Sequence, residues 1–113
     1  MSSPNGPFLC GLDAAVSVVG GKWKSLILWA FSTGPRRTGE LRRELKTVSE
    51  KVLIQQLREL QRNEIVRREA YPEVPPRVVY HLTAAGLAME RALAPLGDRG
   101  EVHKKRIARL RRS

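Results

Sequence analysis

Lys51, Gln55 and Arg58 stand at helical spacing on the polar side of a segment whose Leu53, Leu57 and Leu60 form an apolar stripe. Side chains of these types, aligned on one helix face, suit recognition of nucleic-acid base edges. A glutamine amide makes two hydrogen bonds to adenine, and a lysine donates to guanine O6 and N7. Ser49, Lys51 and Gln55 lie at the N-terminal end of the segment and are the candidates for base contact. Arg58 and Arg62, further along, are placed for phosphate or solvent. Arg36, Arg37, Arg42 and Arg43 cluster ahead of this segment as candidates for phosphate contact, which positions a protein on a duplex without specifying sequence. Arg67, Arg68 and Arg77 flank the proline-rich stretch Pro72–Pro76 and are candidates for a neighbouring groove. For each of these residues the competing reading is an ordinary solvated surface.

The charge balance favours the first reading. Twenty-one Lys and Arg against eleven Asp and Glu give a net charge of +10 in 113 residues. Such an excess attracts polyanions and releases counterions when phosphates are bound. An anionic membrane is the other polyanion, but no apolar run approaches the length of a membrane span. The start of the chain, Met1 to Pro7, is small and rich in Pro and Gly. It lacks the basic and apolar regions of a secretory signal and is expected to fray. The one cysteine, Cys10, excludes an internal disulfide framework and fits a reducing compartment, so a cytoplasmic location is expected. His81 and His103 stand alone in the sequence. Metal-ligand spacing, a nucleophile–base pair and a phosphate loop are all lacking, so the sequence implies neither catalysis nor a cofactor.

The positioning elements follow from periodicity. Phe8, Leu9, Leu12, Ala15, Val16 and Val19 recur at helical spacing up to the stop at Gly20-Gly21. Lys22 to Ser32 is apolar almost all round, which predicts a central core helix with Trp23 and Trp29 inside it. Thr38 to Lys46 is amphipathic, with Leu41 and Leu45 inward and Thr38 as its expected N-cap. A helix from Ser49 to Asn63 follows, capped by Thr47 (which has capping-box spacing to Glu50) or by Ser49. The period then turns strand-like over Ile65–Tyr71 and Arg77–Leu82, which predicts a hairpin with a long tip. Thr83 caps a last helix that Pro95 is expected to kink and Gly97 and Gly100 to weaken. The basic stretch Arg99 to Ser113 extends the dimer helix, reaches DNA flanks or is disordered, the last being the default for a terminal charge run. The order predicts one domain, residues 1–113, mainly α with a small β-hairpin: a winged helix-turn-helix, with the helix-turn-helix at 38–63 and the wing at 64–82.

Four stretches in this order resemble the HxlR-type winged-helix regulators. They are Gly20-Gly-Lys-Trp-Lys24 with Leu26-Ile-Leu28, Gly39-Glu-Leu-Arg-Arg43, Leu53-Ile-Gln-Gln-Leu-Arg-Glu-Leu60, and Pro75 through the Thr83-Ala-Ala-Gly86 segment. The resemblance implies a transcriptional repressor or activator that binds an operator in double-stranded DNA as a homodimer. It also implies that the first and last helices, 8–19 and 83–110, pack across the two-fold axis. A number of such regulators sense electrophiles or oxidants through a cysteine near the N-terminus, which makes Cys10 a candidate sensor of a small electrophile or other inducer. Cys10 lies at the start of the first helix, whose dipole favours an anion. Its alternative role is that of a small apolar residue buried between subunits. Sequence-independent nucleoid-type binding and a winged-helix protein-interaction module are the competing functional classes.

Overall fold

The computed structural model describes residues 7–112; Met1–Gly6, most of the segment expected to fray, and Ser113 lie outside the described residues. Five helices and one hairpin follow the predicted order: α1 Gly11–Val19, α2 Lys22–Ala30, α3 Thr38–Leu45, α4 Glu50–Arg62, β1 Val66–Tyr71, β2 Arg77–Leu82 and α5 Ala84–Arg111. The core sits where α2, α3 and α4 meet. Ile27, Leu28, Leu41, Leu53, Leu57 and Leu60 are its fully buried side chains, with Val48, Ile65, Val66 and Tyr80 closing it beneath the hairpin. Burying a side chain of this size contributes roughly 1.5–3 kcal/mol. The stripe on α4 is therefore a main anchor of the fold, and it fixes which face of that helix points outward.

The local signals resolve as follows. Ser49 caps α4, its Oγ accepting from the Val52 N–H at 3.2 Å, so Ser49 and not Thr47 is the N-cap. Arg37, not Thr38, occupies the N-cap position of α3, and the Glu40 carboxylate accepts from its backbone N–H at 2.9 Å. The first helix begins at Gly11; Phe8 and Leu9 precede it, because the Asp13 carboxylate takes the Leu9 N–H at 2.9 Å and ties the chain back outside the helix. α2 ends at Ala30 and tightens into a 3₁₀ turn over Phe31–Thr33 before Gly34, whose φ of 137° lies in the region glycine favours.

Two expectations fail. Trp29 is 61% exposed instead of buried, while Ile27, Leu28 and Ala30 around it are in the core. The indole borders a groove between α2 and α5 that Leu93, Ala94, Leu96 and Gly97 also line, and it stays open to solvent within the chain. The basic tail is also not disordered, its default reading: α5 covers the 83–110 span expected of the last helix, glycines included. It runs 28 residues, through Pro95, Gly97 and Gly100, to Arg111. Proline removes one backbone donor, while the Ala, Leu, Glu, Lys and Arg around it are good helix formers over many turns. Thr83 caps this helix as expected, its Oγ1 accepting from the Gly86 N–H at 3.0 Å.

The hairpin pairs antiparallel from Val66↔Leu82 to Tyr71↔Arg77. A third element joins the sheet without any signal in the periodicity. Arg36, in the connection between α2 and α3, exchanges two backbone hydrogen bonds with Tyr80, at 2.9 and 2.8 Å, and so adds a one-residue strand to the sheet. That bridge ties the wing to the front of α3.

Candidate nucleic-acid interface

α4 presents the predicted face. Lys51, Gln55, Arg58 and Arg62 are all exposed, and none of them makes an ion pair or side-chain hydrogen bond among the described residues. The Ser49 hydroxyl oxygen accepts in the cap, which leaves its proton and one lone pair for an outward partner. At the junction with α3, Glu50 faces Arg42 across 3.8 Å, both well exposed. Arg37 and Arg43 are exposed without such a partner.

Arg36 behaves differently from its neighbours. Its Nε meets Glu44 Oε1 at 2.9 Å, and its terminal nitrogens donate to the carbonyls of Gly34 and Pro35 and to Thr33 Oγ1. The guanidinium is folded back onto its own loop and holds the turn that feeds α3. Four neighbouring arginines cannot be told apart by sequence when the difference lies in which loop carbonyls happen to face them.

On the wing, the arginines separate into base and tip. Arg67 and Arg68 pair with His81 and Tyr80 near the start of the hairpin, beside Gln61, Asn63 and the first residues of α5. Arg77 belongs to the last pair, at the tip, with its guanidinium 4.2 Å above the Tyr71 ring and 3.2 Å from Glu73. A strand advances about 3.3 Å per residue, so roughly 13 Å separates Arg67 from the tip at Tyr71. At the tip the Pro72–Pro76 loop is exposed, whereas Arg77 is half-buried and engaged with Tyr71 and Glu73.

One face of the wing carries a polar clip that the sequence did not suggest. Glu69 accepts from the Tyr71 hydroxyl at 2.7 Å and meets His81 Nε2 at 2.8 Å. The Tyr71 hydrogen bond, followed by the one from His81, holds the Glu69 carboxyl below its ordinary range. The same carboxylate pushes the Tyr71 hydroxyl above its own. A carboxyl lowered in the folded state contributes at pH values above its unfolded pKa and loses that contribution as pH falls through the folded value. Tyr71→Phe is therefore expected to move the Glu69 midpoint upward, toward that of a free glutamate. A carboxyl-carbon NMR titration checks this, and an unmoved midpoint would remove Tyr71 as the main cause.

Among the described residues no group of three or more His, Cys, Asp and Glu could hold a metal ion, and no helix is long and apolar enough to cross a membrane. Three core-packed helices, an amphipathic second helix after a tight turn and an antiparallel wing define a winged-helix DNA-binding architecture. The family model described as HxlR-like helix-turn-helix matches residues 18–108, and the chain belongs to that family. It is a transcriptional regulator of the winged-helix type. The HTH-type transcriptional regulator YkvN of Bacillus subtilis is 43% identical over 89 residues, 79% of this chain and 75% of its own length. The redox regulator HypR in its oxidised form superposes with a TM-score of 0.79 at 36% identity, covering 82% of this chain and 96% of that one. Diamide-treated YodB from B. subtilis gives a TM-score of 0.71 at 33% identity, over 82% and 93% of the two chains.

Proposed function

We propose that this regulator acts in the cytoplasm as a homodimer that reads an operator by laying α4 in the major groove. The observation that carries the reading is the outward face of α4. Lys51 and Gln55 are exposed on the first two turns without intramolecular partners, directly opposite a stripe that is fully buried. Ser49, Lys51 and Gln55 are the base-reading candidates, since the N-terminal end of a recognition helix lies nearest the base edges. Arg37, Arg42, Arg43 and Arg58 supply phosphate contacts, Arg77 follows from the wing tip, and Arg67 and Arg68 lie at the wing base for flanking phosphate. Arg36 acts by holding the turn.

Two apolar surfaces support the dimer. Leu9, Leu12 and Val16 are 89%, 73% and 54% exposed on and just before α1. On α5, Met89, Leu93, Leu96, Gly100, His103, Ile107 and Leu110 follow one another in alternating steps of four and three. That is the spacing of a coiled-coil seam. Its inner end, Met89 and Leu93, packs on the chain's own core, and Leu96, Ile107 and Leu110 project beyond it. A second copy of the chain is the natural cover for both. Hydroxyl-radical footprinting on the duplex upstream of the chain's own gene is expected to show two protected patches about 34 Å, one helical turn, apart. Uniform protection along any duplex would return the reading to nucleoid-type binding.

Cys10 is the proposed sensor. It is exposed at the N-cap of α1, beside the surface assigned to the partner. Oxidation joins its sulfur to a second thiol, from another copy or a small molecule, with loss of two protons and two electrons to the oxidant; alkylation by an electrophile is the other route. The relatives HypR and YodB, known in oxidised or diamide-treated forms, support this role. Diamide is expected to weaken operator binding by the wild type about tenfold or more and to leave Cys10→Ser unchanged. An equal response in both proteins would remove Cys10 from the mechanism.

A further inference from the structure

The apolar seam of α5 admits a partner running in either direction, and the charges on its two flanks separate the two. On the flank that borders the groove between α2 and α5, Glu90, Gly97, Lys104 and Arg111 recur every seven residues. The other flank carries Ala92, Arg99 and Arg106 at the same interval. Two helices packed on such a seam bring these flanks together. In a parallel pair one flank meets the other, which sets Arg99 against Lys104 and Arg106 against Arg111, twice each across a two-fold axis. In an antiparallel pair each flank meets itself. Glu90 then meets the second copy's Arg111, Gly97 meets the second copy's Lys104, and Arg99 against Arg106 is the one like-charged contact left. Direction also separates the distal ends, where residues 99–112 carry seven Lys and Arg against one Glu.

The groove flank has room for this arrangement. Glu90 is half-buried there and makes no ion pair or hydrogen bond among the described residues. The groove is about 730 Å³ and leaves Trp29 61% exposed. An added Cβ at Gly97 would meet nothing within 4 Å, so a side chain arriving opposite Gly97 finds open space on the indole side. Tryptophan presents the most favourable aromatic face to a cation such as a lysine ammonium.

We propose that α5 pairs antiparallel with α5 of a second copy, with Leu96 against Ile107 and Leu93 against Leu110, and that the second copy's Lys104 and Arg111 close the groove over Trp29 and Glu90. The pairing rests on the homodimeric reading and adds its direction, its register and the cover of the groove. Leu96, Ile107 and Leu110 are 67%, 43% and 65% exposed in the single chain, and this register buries all three. Gly100 stands opposite His103 at the centre and leaves room for the imidazole. A slide of one heptad either way sets a leucine on Gly100 instead, Leu96 in one direction and Leu110 in the other.

Cysteine pairs oxidised with diamide on the Cys10→Ser background test the pairing, each variant being sedimented first. Leu96→Cys with Ile107→Cys is expected to form an inter-chain disulfide in most of the protein, read as a dimer band on non-reducing gels. Each single substitution is expected to give about tenfold less. Positions 96 and 107 are eleven residues apart, so like positions in the two copies, or both positions in one chain, lie about 16 Å apart, beyond disulfide reach. Single variants that cross-link as well as the double variant overturn the proposal in favour of a parallel pair. A dimer in sedimentation with no cross-link from any variant overturns it and leaves the homodimer standing, whereas a monomer at every concentration removes both. Glu90→Arg is expected to weaken self-association severalfold, and adding Arg111→Glu to restore it. Absence of that rescue overturns the closing of the groove by Arg111.

Discussion

Gly86→Ala is expected to destabilise the fold by about 3 kcal/mol or more, and to lower Tm by roughly 10 °C or more. Gly86 is the third residue of α5 and is buried. A Cβ placed on it would run into the carbonyl oxygen of Ile65, with the Ile65 carbonyl carbon at 3.0 Å and Leu82 Cδ2 at 3.2 Å behind. The obstruction is backbone, so no rotamer change relieves it. The same Ile65 oxygen accepts from the Thr83 N–H at 3.0 Å, and Thr83 Oγ1 reaches the Glu64 carbonyl at 2.6 Å. The end of α4, the start of the wing and the cap of α5 are thus locked at one point, and moving any of them breaks the others. Gly97→Ala is the matched control. Nothing stands near that position, and exchanging glycine for alanine in a helix interior gains about 0.5–1 kcal/mol. Thermal and urea unfolding of the two variants decide the matter. A Gly86→Ala protein as stable as the wild type would mean that α5 is not seated on the wing as described.

The second large effect concerns recognition. Lys51→Ala combined with Gln55→Ala is expected to weaken operator binding about 100-fold or more, at about 1–3 kcal/mol for each well-made base contact. Binding to a scrambled duplex should fall far less, because the pair removes one charge and its salt slope drops by only about one. Arg58→Ala is expected to weaken both duplexes alike, as a phosphate contact does. The two base-reading candidates lie one turn apart and share a face, so their effects need not add. A double variant that weakens operator and scrambled duplex equally would transfer both side chains to the phosphate-contacting set.

The elements were legible wherever one face of the chain is apolar and the other is not. Leu53, Leu57 and Leu60 marked α4 and, by exclusion, its reading face. The hairpin was visible in the change of period after Asn63 and in the prolines of its tip. Periodicity reports which side of a helix is apolar but not what covers it, and for that reason Trp29 was assigned to the core. The indole faces the groove between α2 and α5, which the rest of the chain leaves open. Disorder as the default for a terminal charge run likewise set aside the helix formers within it, whereas in the structure the helix continues to Arg111. Arg36 and Arg77 looked like free cations because sequence carries their charge but not their neighbours. The loop carbonyls that hold Arg36, and the Tyr71 ring and Glu73 carboxylate that engage Arg77, come together only on folding. The Glu69–Tyr71–His81 clip was hidden for the same reason. Its members are spread over both strands and meet only when the register pairs Arg67 with His81 and Glu69 with Val79.

Sequence-specific binding to double-stranded DNA is decided by a fluorescence-anisotropy titration against the duplex upstream of the chain's own gene. The comparison is a scrambled duplex of the same length and composition, each measured at two salt concentrations. A preference of about 10³ or more for the native duplex is expected, together with a steep fall in affinity as salt rises. Equal affinity for the two duplexes at both salts would overturn operator recognition at that promoter, leaving only the attraction between a +10 chain and a polyanion.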